Sequence, residues 1–186
     1  MDTSELSKKV RQQTDVNVRE CYQCGKCTAG CPVADKMDLR PSVIMRMLQS
    51  GDAAEEDEIL RSLSIWLCLS CETCYSRCPM ELDIPKIMDY LRQKSLAEGK
   101  VHRDARKIVA FHKSFLNGVK HNGRLNEMEL IVDYKIRSVR SGTLFQDVLL
   151  APGMFSRGKL HILPEQIKDK KGLARLFKNQ FKNRKP

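Results

Sequence analysis

No apolar run in this 186-residue chain is long enough to cross a bilayer. The longest stretches, SIWLCL at 64–69 and DVLLAPGMF at 147–155, fall far short of the roughly 20 residues that a spanning helix needs. The N-terminal stretch MDTSELSKKVRQQTD is polar and lacks the apolar segment of a secretory signal. Together these absences predict a cytoplasmic protein without a membrane span, in a compartment where disulfides are rare. No segment alternates apolar and polar residues as a half-buried strand does. There is no G-x-G-x-x-G nucleotide loop and no G-x-S-x-G nucleophile motif. Nor is any thiol left over, because all 8 Cys fall in two short stretches, so none remains as a lone nucleophile. Nothing in the chain is built for chemistry on a substrate.

The cysteines themselves are highly ordered in sequence. CYQCGKCTAGCP at 21–32 contains Cys21, Cys24, Cys27 and Cys31 followed by Pro32. CLSCETCYSRCP at 68–79 repeats the pattern with Cys68, Cys71, Cys74, Cys78 and Pro79. Both read C-x2-C-x2-C-x3-C-P. A zinc site usually splits its ligands into two separated pairs. Three thiols within seven residues instead wrap something larger than one ion, and the spacing is that of [4Fe–4S] binding. In two-cluster proteins of this kind the fourth cysteine ligates the other cluster. Pro32 and Pro79 bias the cysteine before each towards extended backbone, away from its own loop. The expected ligand sets are therefore crossed: Cys21, Cys24, Cys27 and Cys78 for cluster 1, and Cys68, Cys71, Cys74 and Cys31 for cluster 2. Lys26 in the first loop, against Glu72 and Arg77 in the second, predicts the higher potential for the first loop's cluster. Gly25 and Gly30 are expected to let backbone N–H groups approach the sulfides. Tyr22 and Tyr75 are expected to pack, and Met37, Met45, Met47, Met80 and Met88 to fill gaps around the clusters. His102, His112, His121 and His161 lie outside both motifs. A core this small is expected to collapse without its clusters.

The rest of the chain reads as helical, so the expected class is all-α. Pro41 and Gly51 bracket one helix with Val43, Ile44, Met47 and Leu48 inward. A second is predicted from Ala53 to about Leu67, with acidic first turns and Ile59, Leu63, Trp66 and Leu67 buried. Asp83 caps a third, carrying Ile84, Ile87, Met88 and Leu91 and ending at Gly99. Further helices are predicted over 102–117 (Ile108, Phe111, Phe115 and Leu116 inward), 126–140 and 165–182. Turns are expected at Asn117-Gly118, Asn122-Gly123 and Pro152-Gly153. The formal net charge of +10 is unevenly placed: residues 1–100 carry 14 Lys+Arg against 16 Asp+Glu, and residues 101–186 carry 19 against 7. Segregation of this kind points to a partner surface. The expected organisation is an N-terminal arm at 1–14, an all-α unit holding two [4Fe–4S] clusters at 15–100, and a basic helical extension for docking at 101–186.

CYQCGKCTAGCPVA followed by CLSCETCYSRCPMELDIP, with helices between and after, resembles the C-type iron–sulfur subunits of heterodisulfide reductase, members of the α-helical ferredoxin group. The VR-x-C-x-Q-C-G-K-C-T start and GKLHILPEQIK at 158–168 carry the likeness further. The resemblance implies part of an oxidoreductase complex that relays electrons one at a time. They would pass from a flavin-containing, A-like subunit to a catalytic, B-like subunit. In methanogenesis the B-like subunit reduces the disulfide of coenzymes M and B at cysteine-rich CCG motifs. This chain has no CCG motif and should hold no substrate site. A hydrogenase or formate dehydrogenase module joined through the A-like subunit is a further implied partner. The cysteine motifs are shared with the iron–sulfur subunits of succinate, fumarate and glycerol-3-phosphate enzymes. The succinate type normally adds a [2Fe–2S] domain for which this chain has no cysteines. From another class, eight thiols and a tail with Lys168, Lys170, Lys171, Arg175, Lys178, Lys182, Arg184 and Lys185 are also compatible with a zinc-stabilised nucleic-acid-binding module. The redox motifs favour docking over nucleic acid. An autonomous soluble ferredoxin is the remaining alternative.

Overall fold

A computed structural model describes residues 5–138, 156, 167 and 169–182. The chain divides into two compact units, Met1–Ala105 and Arg106–Pro186. The described regular structure is entirely helical, as expected of an all-α chain.

In the first unit, α1 (Glu5–Thr14), α3 (Pro41–Ser50), α4 (Ala53–Arg61) and α7 (Ile84–Ala97) form the packed body. Leu6, Val10, Ile44, Met45, Leu48, Ile59, Leu60, Ile65, Ile87, Met88 and Leu91 are its core. Helix α1 is polar in composition, yet it turns Leu6 and Val10 inward and packs on α3 and α7. Pro41 starts α3 at a position where the missing N–H costs nothing, and Gly51 ends it at φ 75°. Asp52 caps α4 by accepting from the Ala54 N–H at 2.7 Å, and Asp83 caps α7 by accepting from the Lys86 N–H at 3.0 Å.

Three sequence expectations change here. Val43 is 41 % exposed, and Met45 takes its place in the core. Leu63 and Leu67 are only half-buried, while Leu60 and Ile65 are buried instead. The single helix predicted over 53–67 is broken into α4 and α5 (Ser64–Leu67), with Ser62 in extended backbone. The break is held by Asp38, far away in sequence. Short helices α2 (Lys26–Ala29) and α6 (Thr73–Ser76) lie inside the two cysteine motifs.

The second unit contains α8 (Arg106–Asn122), α9 (Glu127–Arg137) and α10 (Lys170–Lys182), with α9 and α10 packed on α8. Helix α8 runs straight through Asn117-Gly118, which is not a turn; the chain turns at Asn122-Gly123. Its buried positions are Val109, Ser114, Gly118 and Asn122. Phe111, Phe115 and Leu116, expected inward, are 38–47 % exposed. Asn122 bonds Glu129, and its carbonyl accepts from the Ile167 N–H. Phe111 still meets the edge of Tyr134, with ring centroids 6.0 Å apart. Positions 139–140 of the expected 126–140 helix, Pro152-Gly153, GKLHILPEQIK apart from Ile167, and His161 lie outside the described residues. Among the described residues, no helix is long and apolar enough to cross a membrane.

Candidate metal centre

The two motifs share one backbone path. Gln23 and Gly25 in the first have φ of 58° and 76°, and Ser70 and Glu72, at the matching positions of the second, have 49° and 60°. Alternating left-handed residues make the chain concave, with N–H groups turned inward as in an anion-binding nest. The Gln23 N–H points at Cys21 Sγ, 3.5 Å away, and the Ser70 N–H bonds Cys68 in the same way. Only Gly25 adopts this conformation without steric cost. One turn of helix follows (α2 or α6), then the fourth cysteine. Pro32 and Pro79 each start a β-turn just after it: Ala34 N–H donates to the Cys31 carbonyl at 3.3 Å and Glu81 N–H to the Cys78 carbonyl at 3.1 Å.

The turns carry Cys31 and Cys78 across to the opposite motif. One cavity is lined by Cys21, Cys24, Cys27 and Cys78, with Met80, Leu82 and Ile84. A second is lined by Cys31, Cys68, Cys71 and Cys74, with Met37, Pro41, Ile84 and Met88. Ile84, the first residue of α7, is a wall of both. Cys27 is buried, Cys24 and Cys71 are exposed, and the other five are half-buried. Among the described residues no three His, Cys, Asp or Glu side chains converge to hold a single metal ion. Each cavity is lined by one set of four thiols. A cubane, which offers an iron at each of four corners, suits that arrangement.

The electrostatics fit a positively charged core bound by thiolates. Burial pushes the Cys21, Cys27 and Cys68 thiols up, and Cys74 is raised to about 12, first by burial and then by the Cys68 thiolate. The Cys78 thiolate adds to the rise at Cys21, and Cys31 adds to that at Cys68. Cys71 is lowered by its hydrogen bond with the Thr73 hydroxyl, 3.4 Å away. Iron bound at these thiols would displace their protons and cancel the crowding of like charge.

Two helices return to grip the loops. Gln49, near the end of α3, donates to the carbonyls of Val18 (2.9 Å) and Cys21 (3.0 Å). Arg92, on α7, reaches the Cys68 carbonyl (3.4 Å) and Ser70 Oγ (3.0 Å) and pairs with Asp89 at 2.5 Å. Each helix thus follows one motif and clamps the first cysteine of that same motif. The Gly30 N–H donates to the Lys26 carbonyl at 3.1 Å. A side chain there would meet the Arg77 Cδ at 2.6 Å, so Arg77 lies across the loop where Gly30 leaves room for it. Tyr22 and Tyr75, expected to pack, are 70 % and 41 % exposed. Met37, Met45, Met47 and Met88 are buried, and Met80 lines the first cavity.

No sequence motif marks Asp38. Its carboxylate accepts from the N–H of Leu39 (2.9 Å), Leu63 (2.8 Å) and Ser64 (2.8 Å), and from the Ser64 hydroxyl. Ser64 Oγ accepts from the Leu39 N–H at 2.8 Å. This latch fixes the segment after Cys31 to the helix that leads into Cys68. Burial alone would raise the Asp38 pKa, but the hydrogen bonds to its charged form outweigh burial and hold it below the ordinary 3.8. Asp38→Ala should cost about 0.5–2 kcal/mol at pH 7, as loss of a helix cap does. Because the folded pKa is depressed, the contribution is complete above the unfolded value. It should disappear as pH falls below 3.8 and through the folded value. Urea midpoints of both proteins from pH 7 to pH 3 check this; a gap that stays constant into acid contradicts it.

A family of 4Fe–4S dicluster domains matches residues 20–83, which span both motifs and both cavities. The C iron–sulfur subunit of the CoB–CoM heterodisulfide reductase of Methanopyrus kandleri is 33 % identical over 128 residues, 68 % of this chain and 65 % of that protein. The corresponding protein of Methanocaldococcus jannaschii, numbered C 2 in its enzyme, is 32 % identical over 112 residues, 60 % of this chain and 58 % of that one. The C2 subunit of the H2/formate:CoB–CoM heterodisulfide,ferredoxin reductase of Methanococcus maripaludis is 34 % identical over 83 residues, 45 % of this chain and 43 % of its own. The chain spans less than two thirds of the length of each of these relatives. A dicluster domain holds two [4Fe–4S] clusters. Residues 20–83 match such a domain, and the chain is similar to the C-type iron–sulfur subunits of heterodisulfide reductase.

Proposed function

We propose that the chain is the electron-transfer subunit of a cytoplasmic heterodisulfide reductase-type complex, passing single electrons to a disulfide-reducing B-like subunit from a flavin-bearing A-like subunit. Cys21, Cys24, Cys27 and Cys78 hold one cluster, and Cys68, Cys71, Cys74 and Cys31 hold the other. The observation that carries the reading is the pair of crossed four-thiol cavities meeting at Ile84. Bound clusters supply one-electron storage at each site. The chain's own residues hold them and keep water away with Met37, Leu82, Ile84 and Met88, Ile84 lining both sites. With every iron corner taken by a thiolate, neither site has a place for substrate.

The basic half, organised as a docking extension at 101–186, supports attachment to a larger assembly. Phe111, Phe115 and Leu116 on α8, Ile131, Val132 and Ile136 on α9, and Leu176 on α10 are exposed. Lys171, Arg175 and Lys178 on α10 are exposed as well. Apolar side chains rimmed by cations suit a partner surface with acidic edges. The relative named for H2 and formate fits a hydrogenase or formate dehydrogenase module joined through the A-like subunit.

Anaerobic purification from the native source tests the reading. The protein should be brown, carry about eight irons per chain and copurify with A-like and B-like subunits. Colourless protein with two zincs would point to the nucleic-acid-binding alternative. Brown protein that never copurifies with a partner would point to a free ferredoxin.

A further inference from the structure

The two loops match in backbone but not in what clamps them. Gln49 and Arg92 occupy corresponding places: each sits on the helix after its motif and donates to the carbonyl of that motif's first cysteine. Gln49 is neutral. Arg92 brings a full positive charge, and its side chain is only 16 % exposed. Its guanidinium lies between the Cys68 carbonyl, Ser70 Oγ and Asp89. The Asp89 side chain is 55 % exposed. Solvent and salt therefore screen the carboxylate more than the guanidinium, and the pair presents its positive end to the loop. The other cations in the motifs are less well placed. Lys26 and Arg77 are both exposed, and Arg77 lies over Gly30, next to the fourth cysteine of the first motif.

We propose that Arg92 is the residue that makes the two sites unequal, biasing the reducing electron towards the Cys68 side. A nearby buried positive charge stabilises the more negative, reduced form of a cluster, so it raises that site's potential. This ordering is the reverse of the one expected from Lys26 alone. Exchange of one electron between the sites reduces one as it oxidises the other, with no proton moved and no bond made. The bias therefore sets only where a single electron rests. Electrons would enter at the Cys21 side and collect at the Cys68 side before leaving the protein. The inference rests on the two-cluster reading above.

The test is an EPR-monitored redox titration of the purified holoprotein, compared with Arg92→Gln, Arg92→Lys and Gln49→Arg. The signal that disappears in Cys31→Ala identifies the Cys68-side site. In the wild type that site should have the higher midpoint. Arg92→Gln, which copies the Gln49 arrangement, should lower it by about tenfold in reduced-to-oxidised ratio, or about 59 mV for a one-electron couple. The other midpoint should not move. Arg92→Lys should keep most of the gap because it keeps the charge, which separates the electrostatic role from a merely structural one. Gln49→Arg should raise the Cys21-side midpoint and close the gap from the other direction. Equal midpoints in the wild type, an inverted order, or an Arg92→Gln protein with an unchanged gap overturns the inference while leaving the electron-transfer reading intact. Protein that binds no iron sinks that reading itself.

Discussion

Cys78→Ala should strip the site of the first motif and leave that of the second loaded, although Cys78 belongs to the second motif in sequence. Iron should fall from about eight to about four per chain. Pairwise variants make the result unambiguous. Cys78 shares its cavity with Cys24, so Cys24→Ala/Cys78→Ala should lose no more iron than Cys78→Ala alone. Cys71 lines the other cavity, so Cys71→Ala/Cys78→Ala should lose both clusters. If each motif served only its own cluster, the two double variants would exchange outcomes. Iron analysis and EPR of anaerobically reconstituted protein distinguish the cases.

Ile84→Ala should damage both sites at once. Ile84 is 3 % exposed, begins α7 and faces both cavities. Deleting most of a buried side chain removes its transfer free energy and leaves a cavity, about 2–5 kcal/mol in all. Here the hole would join two thiol-lined spaces and admit water and oxygen to each. Both clusters should bleach in air severalfold faster than in wild type, followed by visible absorbance. Ile87→Ala is the control. Ile87 is completely buried one turn further along α7 but lines neither cavity. It should cost similar stability and leave the bleaching rate nearly unchanged. Faster bleaching of one cluster only, or equal rates in the two variants, would contradict the shared-wall role.

Much of the site is legible in the sequence because the cysteine spacing is a direct record of the chain path around it. The helices near it are legible for a related reason: Pro41, Gly51, Asp52 and Asp83 act within a few residues of where they stand. The misses involve longer range. The break between α4 and α5 is fixed by Asp38, about 25 residues upstream, and no local pattern contains that partner. Gln49 and Arg92 look like ordinary polar helix positions. The only clue to them is that each lies at a similar distance after its own motif. In α8, apolarity points to the wrong inward face. Val109, Ser114, Gly118 and Asn122 are the buried positions, and the phenylalanines are left outside. For the motif tyrosines, the loops that present the thiols carry their neighbours outward with them.

The crossing of the fourth cysteines also constrains how the protein is made. A ribosome that has delivered the first motif has delivered three thiols for one cavity and one for the other, and neither set is complete. The second cavity gains its last thiol at Cys74 and the first at Cys78, four residues later. On the crossed assignment proposed above, neither cluster would be fully ligated until the chain has been synthesised through Cys74, and the two sites would then be completed almost together. With the ligand sets proposed above, iron loading would become possible at both sites nearly together, before half of the chain is made.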